Sequence, residues 1–341
     1  MKLFVWIIFF ITFCNTAYSK TTENLLLGIS THIYNQNIEK INSNIYYTGQ
    51  LKFEVVRWDA PWKIVEESQG ILKIPTKWDY AVDNFKRQGA DSILILDYGN
   101  KFYDGGNKPL SDDAIKAYVR YASFVVNHFK GRVKYYEIWN EWNGRLGNTD
   151  HGKASDYVRL LKAVYPVLKS IDKNIVIIGG SFSSSSYDSL LGIRVSDRFM
   201  PIQFESLMKL DFANFVDAIG IHPYVVYRDS TYQSYEGFIT LLHKVVNKIR
   251  ESKGFENKQI FITEVGWSTA INNRNGVNDS IQKEFIIKSI EESKKLGISM
   301  LVLYSLFDDG QNSSEPENNF GLLRYDHSEK PIFQYLKDRE R

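Results

Sequence analysis

Eight short runs of β-branched and aromatic residues recur at a nearly constant interval, and this regularity constrains the fold more than any composition does. The runs are LLLGIST from Leu25, FEVVRW from Phe53, SILILDYG from Ser92, VKYYEIWN from Val133, IVIIGG from Ile175, DAIGIHPY from Asp217, QIFITEVGW from Gln259 and SMLVLYSL from Ser299. Their starts lie 28, 39, 41, 42, 42, 42 and 40 residues apart. The stretches between them read as helices. In AIKAYVRYASFVVNHF the apolar residues Ile115, Val119, Ala122, Val126 and Phe129 fall on one helical face, and ASDYVRLLKAVYPVLKSI and EGFITLLHKVVNKI behave alike. Gly or Asn stands near the helix ends in QGAD, FKGR, DKNI and KLGI, where the chain must leave helical geometry. Eight strand–helix units at such a period predict a single-domain (β/α)8 barrel, a size that 341 residues suit. A doubly wound open sheet is the competing fold, but the Gly-rich phosphate turn it wants after the first strand is missing. The serine-rich SFSSSSYDS after the fifth strand reads as a loop, and no linker divides the chain.

The first residues, MKLFVWIIFFITFCNTAYSK, follow another logic. Lys2 precedes an apolar run from Leu3 to Phe13, and Ala17-Tyr18-Ser19 offers a small-x-small cleavage site. This is the pattern of a secretory signal over residues 1–19, too short for a comfortable membrane span, with the catalytic unit over 20–341. Cleavage there removes Cys14, the single cysteine, so the exported chain needs no disulfide and suits a secreted or periplasmic location. A formal net charge of +2 gives no support for nucleic-acid or membrane-surface binding.

In a (β/α)8 barrel the chemistry sits at the C-terminal ends of the strands. Those ends read RWDAPW, LDYGN, NEWN, HPY, TEVGW and YSLFDDG, and two of them carry a glutamate, Glu141 after the fourth strand and Glu264 after the seventh. Two carboxyl groups across a barrel mouth are the parts that glycoside hydrolysis needs, one to move a proton and one to attack carbon or activate water. Glu137 lies four residues before Glu141, deeper in the same strand, and reads as a structural carboxylate bonded inside the barrel. Trp58, Trp62, Tyr98, Trp142 and Trp267 are expected as sugar-stacking surfaces, and Asp97 as a group bonding either a sugar hydroxyl or a neighbouring strand end. The six histidines form neither HxH nor HxxxH, so no metal is expected. No GxSxG elbow, Walker loop or dinucleotide fingerprint is present, so no organic cofactor is expected either.

EIWNE on the fourth strand and ITEVGW on the seventh resemble the paired signature of glycoside hydrolase clan A. With RWDAPW, LDYGN, IHPY and a final GLLRYD, the chain is similar over most of its length to the bacterial family 39-like branch, which includes endoglycosidases acting on biofilm exopolysaccharides. The resemblance implies a retaining β-glycosidase. It casts Glu141 as acid/base, Glu264 as nucleophile, Asn140 as the partner of the sugar 2-hydroxyl, Arg57 as the cation that keeps the nucleophile ionised, Tyr224 as a hydrogen-bond donor to the nucleophile, and His222 as a residue of the same edge. Two positions depart from the pattern. Trp142 follows the acid/base where many relatives have Pro, and Tyr304 to Phe307 replace a Trp platform on the eighth strand. The expected partner is a β-linked polysaccharide or oligosaccharide, bound by a monomer. β-Glucans, β-mannans and β-xylosides are the alternative substrates. Transglycosylation and a catalytically idle carbohydrate-binding barrel are the alternative activities.

Overall fold

The computed structural model describes residues 24–144, 152–193, 204–226, 228 and 233–339. The signal expected over residues 1–19 lies outside them. Eight parallel strands close a barrel in sequence order: β1 Leu26–Ser30, β2 Val55–Asp59, β3 Asp91–Leu96, β4 Tyr135–Ile138, β5 Val176–Phe182, β6 Ala218–Ile221, β7 Gln259–Val265 and β8 Met300–Leu303. Closure removes every sheet edge. Helices α1 Ile38–Gln50, α2 Trp62–Val65, α3 Thr76–Arg87, α4 Asp112–His128, α5 Ala154–Ile171, α6 Phe204–Met208, α7 Tyr235–Arg250, α8 Asp279–Lys295 and α9 Pro331–Asp338 accompany the strands. The expected barrel and its order are therefore found.

Side-chain alternation sorts the strands into two faces. One face packs outward under the helices and forms the large apolar core. On α4 the buried stripe runs through Ile115, Tyr118, Tyr121, Ala122, Val125 and Val126, with Val119 at its edge, so the face is rotated slightly from the sequence expectation. The other face fills the barrel. Its lower part is an apolar plug of Val55, Ile93, Tyr135, Ile178, Ala218, Phe261, Met300 and Val302. The next inward positions towards the C-terminal ends include polar groups, Arg57 on β2, Glu137 on β4 and Thr263 on β7, each buried. The barrel thus has an apolar floor with charged groups above it.

Two irregularities shape the mouth. On β5 the register with β6 slips between Gly180 and Phe182, inserting Ser181 at φ 45°. On β7 the register with β8 slips between Ile262 and Val265. A bulge of this kind breaks strict alternation. Here it lets the neighbours Thr263 and Glu264 both serve the barrel interior, as their hydrogen bonds to Glu137 and Arg57 require.

Candidate active site

Arg57 is the hub. It is 3% exposed, and its guanidinium reaches three side chains. Nε and one terminal nitrogen donate to Glu137 at 2.7 and 3.3 Å, the same terminal nitrogen donates to Asn140 Oδ1 at 2.9 Å, and the other donates to Glu264 Oε2 at 2.8 Å. A planar cation with several fixed donors suits such a branched role, which Lys cannot fill. Burial works against charging the Arg57 guanidinium, but the Glu137 and Glu264 carboxylates outweigh it and raise its pKa above the usual arginine value. Burial alone would push the Glu137 carboxyl up, yet Arg57 in contact and the His222 ring 3.8 Å away hold it down at about 2. Glu137 is therefore the internal counter-ion that lets an arginine sit beneath Glu264.

The two carboxyl groups at the mouth are held differently. Tyr224 donates its hydroxyl to Glu264 Oε1 at 2.8 Å, so Glu264 receives one donor on each oxygen. Burial and the neighbouring Glu264 charge push the Tyr224 phenol well above its ordinary value, so it stays a donor. Glu141 leans on His222, whose Nδ1 lies 3.0 Å from Glu141 Oε1. The other ring nitrogen, Nε2, is 3.1 Å from Thr263 Oγ1, which in turn donates to Glu137 at 3.2 Å. Burial works against charging His222, but the Glu264 charge and the contacts to Glu137 and Glu141 raise it to about 9, which makes both ring nitrogens donors at neutral pH. His222 Nδ1 also lies 3.9 Å from Glu264 Oε2, so the two mouth carboxyl groups face one nitrogen, and these two oxygens are no more than 6.9 Å apart.

The backbone presenting Glu141 is unusual. Trp139 and Glu141 adopt φ 64° and 47°, a region that side chains rarely enter and that costs about 1–3 kcal/mol per residue. The turn is secured on both sides. Trp139 N donates to Leu96 O at 3.1 Å, and Glu141 N donates to Ser181 O, the inserted residue of β5, at 3.0 Å. Asn140, between them, is turned inward to Arg57 and donates from Nδ2 to the Tyr98 hydroxyl at 2.8 Å.

These groups line a cleft of about 540 Å³. Arg57, Asn140, Glu141, Glu264, Tyr224, Tyr98 and Trp58 all border it. Trp58 is 1% exposed and packs edge-on against Trp78, so it offers the cleft only a rim. His222 stands behind Glu141, fully buried.

Three expected stacking residues lie elsewhere. Trp62 is sandwiched between the rings of Tyr103 and Tyr121, at centroid distances of 5.0 and 5.6 Å, and donates to Glu66 at 2.7 Å. Trp142 is buried against Trp139 and Tyr157, with Nε1 donating to Lys153 O at 3.0 Å. Trp267 packs between Phe238 and Phe285. All three have turned away from the mouth into the helix–sheet layer, where a large ring loses more water-exposed area than at a rim. Asp97 is buried too, and it faces a neighbouring strand end, Asp59, rather than the open cleft.

Sequence reading missed other cleft residues: His32, Tyr34, Asp59, Ser183, Ser184, Glu317 and Phe320. Asp59 was within reach, since it follows Arg57 by two positions and so shares its inward face. Phe320 was not, because it enters from the long connection after β8. Tyr304, named only as a departure, borders the cleft and packs edge-on with Phe320 at 5.6 Å.

Residues 16–306 match the model of the family described as cellulase, glycosyl hydrolase family 5. Among solved structures, the chain is similar to a family 39 glycoside hydrolase from the gut symbiont Bacteroides cellulosilyticus WH2, at 21% identity and TM-score 0.71 over 93% of this chain and 63% of that one. A family 5 subfamily 18 enzyme from Bifidobacterium longum, solved with Manβ1-4GlcNAc, superposes at 13% identity and TM-score 0.72 over 92% and 77%. The endo-β-1,4-mannanase of Thermotoga petrophila follows at 15% identity and TM-score 0.66 over 93% and 76%. The chain thus spans about two thirds of the length of the family 39 enzyme. No curated protein matches it.

Proposed function

Because the chain belongs to the cellulase family, glycosyl hydrolase family 5, and is a clan A glycosidase, we propose that it cleaves the interior of a β-linked exopolysaccharide outside the cytoplasm, with retention at the anomeric carbon. The observation that carries this reading is the unequal treatment of two carboxyl groups around one cleft. Glu264 is held on both oxygens by Arg57 and Tyr224, as an attacking anion should be, whereas Glu141 has one oxygen on His222 and its turn projects it at the mouth. A Glu264 oxygen attacks the anomeric carbon as Glu141 gives its proton to the glycosidic oxygen, and the leaving chain departs as an alcohol. Water then enters, Glu141 takes its proton, and the hydroxide displaces Glu264 from the sugar. His222 stays in contact with Glu141 and orients its carboxyl group through both transfers. Asn140, anchored by Arg57 and Tyr98, keeps an amide N–H for the sugar 2-hydroxyl.

The resemblance of the strand-end motifs to the family 39-like exopolysaccharide endoglycosidases supports endo cleavage. The N-terminal pattern of Lys2 and the apolar run supports export. Incubation with β-glucan, β-mannan, β-xylan and bacterial exopolysaccharides, followed by product sizing, tests the substrate. A ladder of oligosaccharides from one of them is expected, and release of single sugars only would replace endo by exo action. Glu264→Gln should lower turnover by roughly 10³-fold or more, the scale of a lost covalent nucleophile. Undiminished cleavage by that variant would end the mechanism.

A further inference from the structure

Asp97 has a problem that the mechanism does not solve. It is 0% exposed, and neither of its carboxyl oxygens meets a hydrogen-bond donor among the described residues. A buried carboxylate without donors is among the costliest groups a fold can hold. The side chain within hydrogen-bonding reach is another carboxyl, Asp59. The strand register explains why they meet. Asp59 closes β2 and pairs with Ile95 of β3, and Asp97 stands just past the end of β3, so the two acids meet at neighbouring strand ends. Two acceptors can bond only if one carries a proton. Burial first, then the nearby Asp59 charge, push the Asp97 carboxyl well above the ordinary range, so Asp97 keeps the proton and donates it. Arg57 on β2, Glu137 on β4, Tyr118 and Tyr121 on α4, and Tyr34 face the same pocket of charge.

Asp59 is placed differently. It is half-buried, borders the cleft one inward layer nearer the mouth than Arg57, and has no donor other than Asp97 among the described residues. Its free acceptor capacity therefore opens into the cleft. The wall continues through Tyr98, next to Asp97 in the chain, whose hydroxyl accepts from Asn140. Asn140 is on the glycone side, beside Arg57 and Glu264.

We propose that Asp59 is a substrate-binding residue of the glycone wall, accepting hydrogen bonds from the free hydroxyls of a neutral sugar, and that Asp97 is a positioning residue that orients it through a shared proton. The inference rests on the glycosidase reading of the same cleft. A carboxylate in that wall disfavours a uronic acid seated against it, because two like charges then meet. A neutral polysaccharide supplies the missing donors in the form of hydroxyl groups.

The test uses the full chain with cellotetraose, mannotetraose and an oligo-β-glucuronate, measuring turnover with Glu264 intact and calorimetric binding in the Glu264→Gln background. Asp59→Asn should weaken binding of the neutral tetrasaccharide that wild type cleaves by about tenfold, the loss of one charge-assisted hydrogen bond, while kcat falls by less than about threefold. The same variant should narrow the preference for neutral over glucuronate chains. Asp97→Ala should weaken binding comparably, and Asp97→Asn, which still offers an N–H to Asp59, should recover most of it. Infrared difference spectra at neutral pH should show one protonated-carboxyl band lost in Asp97→Asn, a signature that needs no ligand. Unchanged affinity in Asp59→Asn, or no band lost, overturns the proposal. If wild type cleaves and binds no glycan, the glycosidase reading fails instead, and the infrared band still decides whether the proton is shared.

Discussion

Arg57 and Glu137 show how far a single residue's role depends on its partners. Glu137 touches no cleft, yet without it Arg57 would bring an unbalanced charge under Glu264. Glu137→Gln removes the counter-ion but keeps the shape. Breaking one side of a buried ion pair costs about 3–5 kcal/mol, so the unfolding midpoint in urea should fall accordingly. Activity should fall as well, since Arg57 also orients Glu264 and Asn140. His222 sets a pH limit. Its pKa is raised in the folded protein, to about 9 from the ordinary 6.5, so the stabilisation it contributes is complete below about pH 6.5 and is lost as pH rises through about 9. Thermal melts from neutral to alkaline pH should decline over that window in wild type, and the decline should flatten in His222→Gln. A wild-type melting temperature that stays level through pH 9 would contradict the assignment.

Among the elements, the turn after β4 decides most. It carries Asn140 and Glu141 through two positive-φ residues, and such a conformation persists only when its surroundings enforce it. Trp142 is the main enforcer. Its ring is walled by Trp139 and Tyr157, its Nε1 is bonded to Lys153 O, and Gly152 lies so close that an added Cβ would fall 2.1 Å from Nε1. The departure from Pro at this position therefore exchanges one kind of stiffness for another: an aromatic anchor in place of a fixed backbone angle. Trp142→Ala should destabilise the fold by about 3–5 kcal/mol, as truncation of a buried tryptophan does. Because the loss falls on the turn that aims Glu141, kcat should drop more than KM rises when the folded variant is assayed well below its melting temperature. Trp267→Ala, equally buried but far from that turn, should lose stability with kcat largely kept. Equal kinetic effects in the two variants would remove the positioning role from Trp142.

At the scale of the whole molecule, the barrel brings together groups from β2, β4, β6 and β7 that are up to 207 residues apart in the chain, as for Arg57 and Glu264. The double displacement expected of that constellation has a stereochemical outcome. Proton NMR during the first minutes of cleavage should show the β-anomer of the new reducing end before mutarotation, and an initial α-anomer would exclude retention. One oxygen of each carboxyl group lies within 6.9 Å of the other, a bound that contains the roughly 5–5.5 Å of retaining enzymes.

What the sequence determined by itself is what repeats or alternates locally. Strand spacing, helix faces and Gly-marked helix ends announced a (β/α)8 barrel, and the barrel rule then turned Glu141 and Glu264 into a pair, because strand ends in such a fold share one mouth. Glu137 was legible as an internal carboxylate for the same reason of alternation. Only the tertiary structure decided which aromatics face sugar. Trp62, Trp142 and Trp267 stand beside the right motifs, but beyond a strand end no periodicity dictates direction, and burial against neighbouring rings outweighs exposure at a rim. The bulge that turns both Thr263 and Glu264 inward was equally invisible, because it depends on the register between β7 and β8 rather than on either strand alone. The meeting of Asp59 with Asp97 is of the same kind: each acid is plain in its own strand, and only the pairing of two strands makes them one group sharing a proton.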